Sequence, residues 1–177
     1  MAKRKIILYT AVSLDGFIAR EDGSYDWLHD DDYAEGKEDY GYDKFLKNID
    51  TILMGFNTYK DIMTQGEVFP YHRTQNYVFT RRKNIPDDPH VEFVSDEIVE
   101  FITELKNSQG KDIWLVGGGQ INSILTKHKL VDEFILTYIP ITLGKGIRIF
   151  HGESFDNRYK LNDAVVYPNG FVQLYLK

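Results

Sequence analysis

Three consecutive glycines near the middle of the chain follow a segment that has the pattern of a buried strand. In KDIWLVGGGQI the apolar run Ile113–Val116 predicts a strand covered on both faces of a parallel sheet. Gly117, Gly118 and Gly119 come next, and from Gln120 the apolar spacing predicts a helix. The first N–H groups of a helix lack intrahelical partners and carry its positive dipole end, so this junction is predicted to bind a phosphate or pyrophosphate. The spacing matches neither the Rossmann fingerprint nor a P-loop, and the alternative is a tight turn in which helix and strand only approach closely.

A second strand–glycine–helix junction precedes the first one in the chain. Thr51–Met54 predicts a short buried strand that Gly55 ends. Asn57 and Thr58 are predicted to cap a helix over Tyr59–Met63. The sequence therefore predicts a second candidate site for an anion.

A basic cluster stands at the end of another predicted strand, Asn76–Thr80. Arg81, Arg82 and Lys83 follow that strand directly. A guanidinium group binds phosphate through two parallel hydrogen bonds, so the cluster is a candidate partner for a phosphorylated ligand. The alternative is a basic turn that is simply solvated.

The elements that must position these junctions follow from the spacing of apolar residues. We predict strands at Lys5–Val12, 17–19, Thr51–Met54, Asn76–Thr80, Val91–Val94, 113–116, Val131–Leu143, Leu161–Tyr167 and Phe171–Leu176. Helices are predicted from the acidic segment Asp26–Gly41 on through Tyr42–Ile49, over 59–63, over 98–105 with Ser95 as the cap, and from Gln120. Pro140 indicates an edge or bulge in its strand, and Asn169-Gly170 predicts a hairpin turn.

This order of elements predicts an α/β fold. Strands alternate with helices up to about residue 130, and the chain then ends in an antiparallel hairpin. We therefore predict a mixed, mostly parallel sheet flanked by helices. Ligands of such sheets bind at the carboxyl ends of the strands, which is where the two glycine junctions and the basic cluster fall.

Composition limits the classes of protein that the chain can belong to. Its 177 residues suit a single domain, 1–177, and the net charge of −6 argues against binding to nucleic acid or anionic membranes. The absence of cysteine excludes disulfides, thiolate catalysis and cysteine-ligated zinc, and the five histidines show no metal-ligand spacing, so no metal is predicted. The N-terminal apolar run is too short for a signal peptide or a membrane span. We therefore expect a soluble, cytoplasmic protein.

Four segments occur together in the order and spacing of a known fold. They are 11–18 (AVSLDGFI), 52–59 (ILMGFNTY), 76–81 (NYVFTR) and 116–121 (VGGGQI). In this combination nearly the whole chain resembles the dihydrofolate reductase-like superfamily, which implies a three-layer αβα fold. The SLDG segment, with Trp27 shortly after it, resembles more closely the reductase half of the bifunctional riboflavin-pathway deaminase-reductase.

The cofactor of that superfamily is NADPH, and the resemblance implies which residues would bind it here. Ala11 and Ile18 would line the nicotinamide slot. The residues implied at the pyrophosphate are Gly55, Asn57 and Thr58 on one side and Val116, Gly117, Gly118, Gly119, Gln120 and Ile121 on the other. Thr80, Arg81 and Arg82 would lie beside the 2′-phosphate of the adenosine.

The chain also departs from the pattern of the superfamily. Phe56 stands where dihydrofolate reductases usually carry a basic residue for the 2′-phosphate, which weakens the implied preference for NADPH over NADH. Asn122 replaces an aromatic residue often found near the nicotinamide. The zinc ligands of the deaminase half are absent because the chain has no cysteine, so deamination by that route is excluded.

The substrate end of the predicted site is defined by five residues. Reduction of a C=N or C=O bond needs a proton at the heteroatom, and Asp39 falls nearest the position of the dihydrofolate reductase acid. Asp15 belongs to the SLDG motif and is a candidate substrate contact, or else a turn former beside a glycine. Trp27 and Tyr42 are candidates for stacking on a flat heterocycle, or else core residues. Lys145 would meet an anionic substrate, or else it lies in a flexible turn.

Together these residues imply an NADPH-dependent reductase that transfers a hydride to a pyrimidine- or pterin-like heterocycle, as in riboflavin biosynthesis. The alternatives are a dihydrofolate reductase and a nucleotide-binding module without catalysis. The resemblance also leads us to expect a homodimer.

Overall fold

The computed structural model describes residues 3–28, 39–64, 69–152 and 154–177. The strands are β1 (Ile6–Ser13), β2 (Phe17–Ala19), β3 (Ile49–Gly55), β4 (Gln75–Phe79), β5 (Glu92–Val94), β6 (Asp112–Gly117), β7 (Glu133–Ile139), β8 (Ile147–Arg148), β9 (Leu161–Val166) and β10 (Val172–Leu176). The helices are α1 (Tyr42–Leu46), α2 (Phe56–Thr64), α3 (Ile98–Asn107) and α4 (Gly119–Lys127), with a short 3₁₀ turn at Asp26–Leu28.

Eight of the strands form one mixed sheet in the order β5-β4-β3-β6-β1-β7-β10-β9. The six strands from β5 to β7 are parallel, and β10 runs antiparallel to both β7 and β9. β2 and β8 pair separately as a two-stranded antiparallel ribbon. The expected mostly parallel sheet with a C-terminal antiparallel hairpin is thus confirmed.

The alternation of side chains along the central strands divides the core into two layers. Ile6 and Leu8 of β1 point to the face covered by α3 and α4, where Ile102 and Leu125 are fully buried. Ile7 points to the opposite face and packs in the cluster that contains residues of α1 and α2. Because apolar residues occupy both faces of β1, the sheet needs helices on both sides, which gives the three-layer αβα arrangement.

The ends of several elements differ from the sequence prediction. α2 begins at Phe56, directly after β3, so Asn57 and Thr58 lie in its first turn and do not cap it. α3 follows Glu97, which has φ of +50° and makes no side-chain cap, so Ser95 is not the cap. β7 ends at Ile139, just before Pro140.

The acidic segment is described only at its edges. It begins with the 3₁₀ turn and ends beside α1, whereas residues 29–38, on which the helix prediction partly fell, lie outside the described residues. In the part of the chain that the structure describes, no helix is long and apolar enough to span a membrane.

Candidate functional site

A cleft of about 810 Å³ lies at the carboxyl ends of the central parallel strands. Four strands supply its inner wall, through Ala11 of β1, Gly55 of β3, Phe79 of β4 and Val116 of β6. The helices that follow β3 and β6 begin at the same edge and add their first turns. Such an edge is the expected ligand site of an open α/β sheet.

The three glycines at the end of β6 are each required by the backbone or by a neighbour. Gly117 and Gly118 have φ of +113° and +66°, a region that side-chain-bearing residues rarely adopt. Gly119 has no such φ, but a Cβ there would lie 2.2 Å from the carbonyl oxygen of Arg148. Gly118 and Gly119 therefore expose backbone to the cleft, and Gly119 also lets α4 approach β8.

The first turns of α2 and α4 meet at this glycine junction. The Thr58 hydroxyl donates to the Gly117 carbonyl at 3.4 Å, and α4 begins after Gly118 without a side-chain cap. Behind the junction the Asn122 amide donates to the Ile149 carbonyl at 2.9 Å, and its oxygen would lie 2.9 Å from a Cβ on Gly117. The first turns of two helices thus line the cleft, and because the first N–H groups of a helix lack intrahelical partners, this geometry suits the pyrophosphate of a dinucleotide.

The β2–β8 ribbon and the segment after it form another wall. Ile18, Ile147 and His151 line the cleft from this side. The His151 N–H donates to the Ser123 hydroxyl at 2.6 Å and to the Gly119 carbonyl at 3.2 Å, which fixes the segment against α4. The wall is largely apolar, as a site for a flat ring requires.

The basic end of the cleft is built around an aromatic ring. The guanidinium carbon of Arg82 lies 4.5 Å from the centre of the Phe56 ring. The backbone N–H of Arg82 donates to the Thr80 hydroxyl at 3.0 Å. Phe56 in turn packs against Tyr59 and Phe93, with ring centres 5.9 Å and 6.3 Å away. A guanidinium stacked by its face keeps its N–H edges available for an anion.

Almost all of the residues that the resemblance implied for the cofactor line this one cleft. They are Ala11, Ile18, Gly55, Asn57, Thr58, Thr80, Arg81, Arg82, Val116, Gly118, Gly119, Gln120 and Ile121. Gly117 lies beside them, behind Thr58, and does not line the cleft itself. These residues come from four separate parts of the chain, and the fold brings them together.

The predicted proton donor, Asp39, does not line the cleft. Its carboxylate accepts the N–H groups of Gly41 at 2.9 Å and Asp43 at 3.1 Å at the start of α1. These backbone hydrogen bonds favour the ionised form and lower the pKa of Asp39. A proton donor needs the opposite shift, so the structure gives Asp39 a capping role and does not support the predicted catalytic one.

The two aromatic residues predicted to stack on a substrate belong to the interior. Trp27 is 2% exposed and packs with Ile139 and Phe171 in a third cluster of buried residues. Tyr42 packs against the α1–α2 face of the sheet, and burial raises the pKa of its hydroxyl. Tyr42 belongs to the same buried cluster as Tyr71, which does line the cleft. Both Trp27 and Tyr42 are therefore core residues, the alternative left open by the sequence.

Asp15 closes a turn and lies outside the cleft lining. Its carboxylate accepts hydrogen bonds from the Ser13 hydroxyl at 2.7 Å, the Leu143 N–H at 3.1 Å and the Gly144 N–H at 2.7 Å. The hydrogen bond from Ser13, followed by those from Gly144 and Leu143, lowers the pKa of Asp15 to about 2. Asp15 thus ties the end of β1 to the loop before β8, which is the turn-forming role.

Lys145 lies outside the cleft lining and is paired with an exposed carboxylate. Its ammonium group lies 2.8 Å from the Glu21 carboxylate in an ion pair that is open to solvent on both sides. The residues that follow it, Gly146 and Ile147, line the cleft, whereas Lys145 does not. The structure therefore gives Lys145 no contact with the candidate site.

Several lining residues were not identified from the sequence. Asp61 lies three residues after Thr58 on α2 and shares its face of the helix, so helical spacing from the predicted junction would have found it. Tyr25 and Tyr71 lie on loops, and His151 lies far along the chain. Nothing in local spacing marks those three, because only the tertiary fold brings them to the cleft.

The fold and the cleft together define the class of the protein. A three-layer αβα domain with this sheet order, a glycine junction after β6 and a cleft across the strand ends is a dihydrofolate reductase-like domain. Residues 4–173 match the family model described as the RibD C-terminal domain. The chain belongs to that family.

Sequence relatives extend over most of the chain. A Bacillus subtilis protein, YwjB, is 42% identical over 159 residues, which is 90% of this chain and 90% of that protein. Another protein of the same organism, YyaP, is 35% identical over 185 residues, and the alignment covers 98% of this chain and 95% of YyaP. Both are described as uncharacterized.

Solved structures with this fold include proteins of riboflavin biosynthesis. A putative riboflavin biosynthesis protein from Shewanella sp. PV-4 superposes with a TM-score of 0.84 at 25% identity and covers 97% of both chains. The Thermotoga maritima diaminohydroxyphosphoribosylaminopyrimidine deaminase/5-amino-6-(5-phosphoribosylamino)uracil reductase superposes with a TM-score of 0.71 at 19% identity, over 99% of this chain and 56% of that one. At the latter identity the likeness concerns the fold alone.

Proposed function

We propose that the protein is an NADPH-dependent reductase that reduces a pyrimidine- or pterin-like heterocycle. The observation that carries the proposal is the convergence of the implied dinucleotide residues on one cleft, with the glycine junction at its centre. Membership of the RibD C-terminal domain family supports a reductase related to riboflavin biosynthesis. In the proposed reductase, the chain's own groups bind and orient the cofactor and keep water from it.

The residues present fit a phosphorylated dinucleotide. A Cβ at Gly118 would lie 3.3 Å from the Thr58 hydroxyl, so a side chain there would crowd the first turn of α2. The N–H groups of the first turns of α2 and α4 would hold the pyrophosphate, and Arg82 on the Phe56 ring would hold a phosphate at the adenosine end. When bound, a dihydronicotinamide supplies a hydride for reduction of the substrate.

The proposed substrate class follows from the apolar and aromatic part of the cleft lining. Tyr25, Leu28, Ile62 and Tyr71 form this part, which suits a flat ring. The Thermotoga maritima relative is named as a reductase of 5-amino-6-(5-phosphoribosylamino)uracil, so this aminouracil is the first substrate to test.

The test is oxidation of NADPH, followed at about 340 nm, with the aminouracil or with dihydrofolate as the acceptor. We expect turnover that depends on the aminouracil and is much slower with dihydrofolate. Preference for dihydrofolate would identify a dihydrofolate reductase instead. Binding of NADPH without turnover on either acceptor would favour a nucleotide-binding module.

We also propose a homodimer, as the resemblance implied. β9 is an outer strand of the large sheet, and two of its apolar side chains, Leu161 and Val166, are 54% and 73% exposed. An open strand edge with apolar side chains is suited to pairing with a second copy. Light scattering coupled to size-exclusion chromatography would give twice the mass of 20.6 kDa, and the monomer mass would contradict the proposal.

A further inference from the structure

One carboxylate in the cleft has no role in the cofactor site described above. Thr58, Asp61 and Ile62 lie at positions i, i+3 and i+4 of α2 and all line the cleft, so they form one face of the helix. Thr58 contacts the glycine junction, whereas Asp61 lies one turn further along α2, beside the loop that carries Gly23. Among the described residues that line the cleft, Asp61 is the only acid.

The loop between β2 and the 3₁₀ turn covers the Asp61 carboxyl. A Cβ on Gly23 would lie 3.1 Å from Asp61 Oδ2, so Gly23 permits this close approach, and its φ of +88° suits only glycine. The loop is held by the Gly23 N–H, which donates to the Arg20 carbonyl at 3.1 Å. The Asp22 carboxylate accepts the Ser24 N–H at 2.9 Å, so Asp22 is already occupied within the loop.

The Asp61 carboxyl itself is half-buried and unpaired. Within the described ranges, no residue donates a hydrogen bond to it or forms an ion pair with it. Burial raises the pKa of Asp61, the Lys60 ammonium beside it lowers it, and the charge of Asp22 raises it. Tyr25 and Tyr71 also line the cleft, and burial raises the pKa of the Tyr71 hydroxyl.

We propose that Asp61 is the acid of this site, which gives a proton to the nitrogen or oxygen of the substrate bond that is reduced. The proposal rests on the proposed function, because the hydride must come from the dihydronicotinamide. The hydride adds to the carbon, the π pair of the C=N or C=O bond moves to the heteroatom, and the heteroatom takes the proton of the Asp61 carboxyl. The cofactor is oxidised, the substrate is reduced, and water returns a proton to the Asp61 carboxylate.

This assignment gives the site the donor that Asp39 does not supply. Asp39 is ionised by two backbone hydrogen bonds outside the cleft, and Asp15 by three hydrogen bonds in its turn. Asp61 has neither kind of partner and faces the same space as the aromatic lining. A carboxyl group in a partly apolar setting is the usual form of a proton donor in such chemistry.

The first test is independent of turnover. In protein labelled with ¹³C at the aspartate carboxyls, the signal lost in Asp61→Asn identifies Asp61, and its titration gives the pKa. We expect a pKa above the ordinary value of about 3.9 and above that of Asp39. A pKa at or below the ordinary value would overturn the proposal.

The second test is kinetic, with NADPH and the aminouracil as the probe. We expect Asp61→Asn to lower kcat on the order of 100-fold while KM for the probe changes less than about threefold. In the wild type kcat should fall as the pH rises through the pKa of the acid, and Asp61→Asn should lose that dependence. Glu104→Gln, on the exposed face of α3, removes a carboxylate outside the cleft lining and should leave kcat unchanged.

The outcomes separate this proposal from the proposed function. A raised KM with unchanged kcat in Asp61→Asn would make Asp61 only a binding residue and overturn its role as the acid. If the wild type bound neither NADPH nor NADH, the proposed function would fail, and this proposal with it. If the wild type bound NADPH but did not reduce the probe, the carboxyl titration would decide on Asp61 alone.

Discussion

The contact between Arg82 and Phe56 lies at the end of the cleft where we propose that the 2′-phosphate of NADPH binds. Dihydrofolate reductases usually carry a basic residue where this chain has Phe56, and here the centre of the Phe56 ring lies 4.5 Å from the guanidinium carbon of Arg82. Substituting Arg82→Ala should weaken NADPH binding roughly tenfold, because one charge-assisted phosphate contact is lost, and should change NADH binding less than about twofold. Calorimetric titration measures both constants. Arg73→Ala, an exposed arginine outside the cleft lining, serves as the control, and equal losses for both dinucleotides would contradict the account.

The Asp15 carboxylate predicts a defined response of stability to acid. Its folded-state pKa of about 2 lies below the ordinary value, so the ionised group stabilises the fold at neutral pH, and this contribution is lost as the pH falls from about 4 toward 2. Asp15→Asn should therefore lower the melting temperature at pH 7 and narrow its gap to the wild type at pH 3. Thermal unfolding followed by circular dichroism would show this. A constant gap across the two pH values would argue that the hydrogen bonds to Leu143 and Gly144 do not favour the charged form.

At the scale of elements, the junction between β6 and α4 depends on the absence of one side chain. A Cβ at Gly119 would overlap the Arg148 carbonyl oxygen, whereas a Cβ at Gly55 would lie 3.5 Å from Ile121, an ordinary contact. Gly119→Ala should lower the free energy of unfolding by about 1–3 kcal/mol because α4 must move away from β8, and Gly55→Ala by less than about 0.5 kcal/mol. Urea denaturation compares the two. A loss of similar size for both would mean that the close approach is not what stabilises this junction.

Local spacing was sufficient to find most elements, and it failed at their ends. The apolar run at Ile113–Val116 and the Asn169-Gly170 turn predicted β6 and the C-terminal hairpin because a buried strand and a tight turn leave direct marks on composition. The start of α3 at Ile98 agrees with the predicted helix, but Ser95 was wrong as its cap, because Glu97 precedes the helix with a left-handed backbone and no capping side chain. The β2–β8 pairing had no local mark, since its strands lie far apart in the chain.

The candidate site divides in the same way. Residues at strand ends, such as Gly55 and Gly118, were predictable because parallel strands place their carboxyl ends at one edge. Trp27 was a candidate for stacking or for the core, and Asp39 was assigned by its position in the chain relative to the dihydrofolate reductase acid. In the structure Trp27 packs in the interior and Asp39 accepts hydrogen bonds at the start of α1. Composition cannot distinguish these roles, because an aromatic ring or a carboxylate suits either.

At the scale of the whole molecule, Arg4 joins three parts of the chain at the amino-terminal ends of β1, β3 and β6. Arg4 is 6% exposed; its guanidinium pairs with Asp50, donates to the Thr51 hydroxyl at 2.6 Å and donates to the Lys111 carbonyl at 2.6 Å. Arg4→Ala should lower the free energy of unfolding by roughly 2 kcal/mol, less than for a fully buried pair because Asp50 reaches solvent. Lys3→Ala, at an exposed neighbouring position, is the control in urea denaturation. A loss below about 0.5 kcal/mol would show that water replaces these bonds.

We propose that the glycine junction and the two helix N-termini bind the pyrophosphate of NADPH. The most direct measurement is an NADPH titration of ¹⁵N-labelled protein, followed by the amide resonances of the whole chain. We predict the largest chemical-shift changes at the backbone N–H groups of Asn57, Thr58, Gly118, Gly119 and Gln120. These changes should saturate at micromolar concentrations of NADPH. Absence of shifts, or shifts confined to residues outside the cleft, would contradict the proposal.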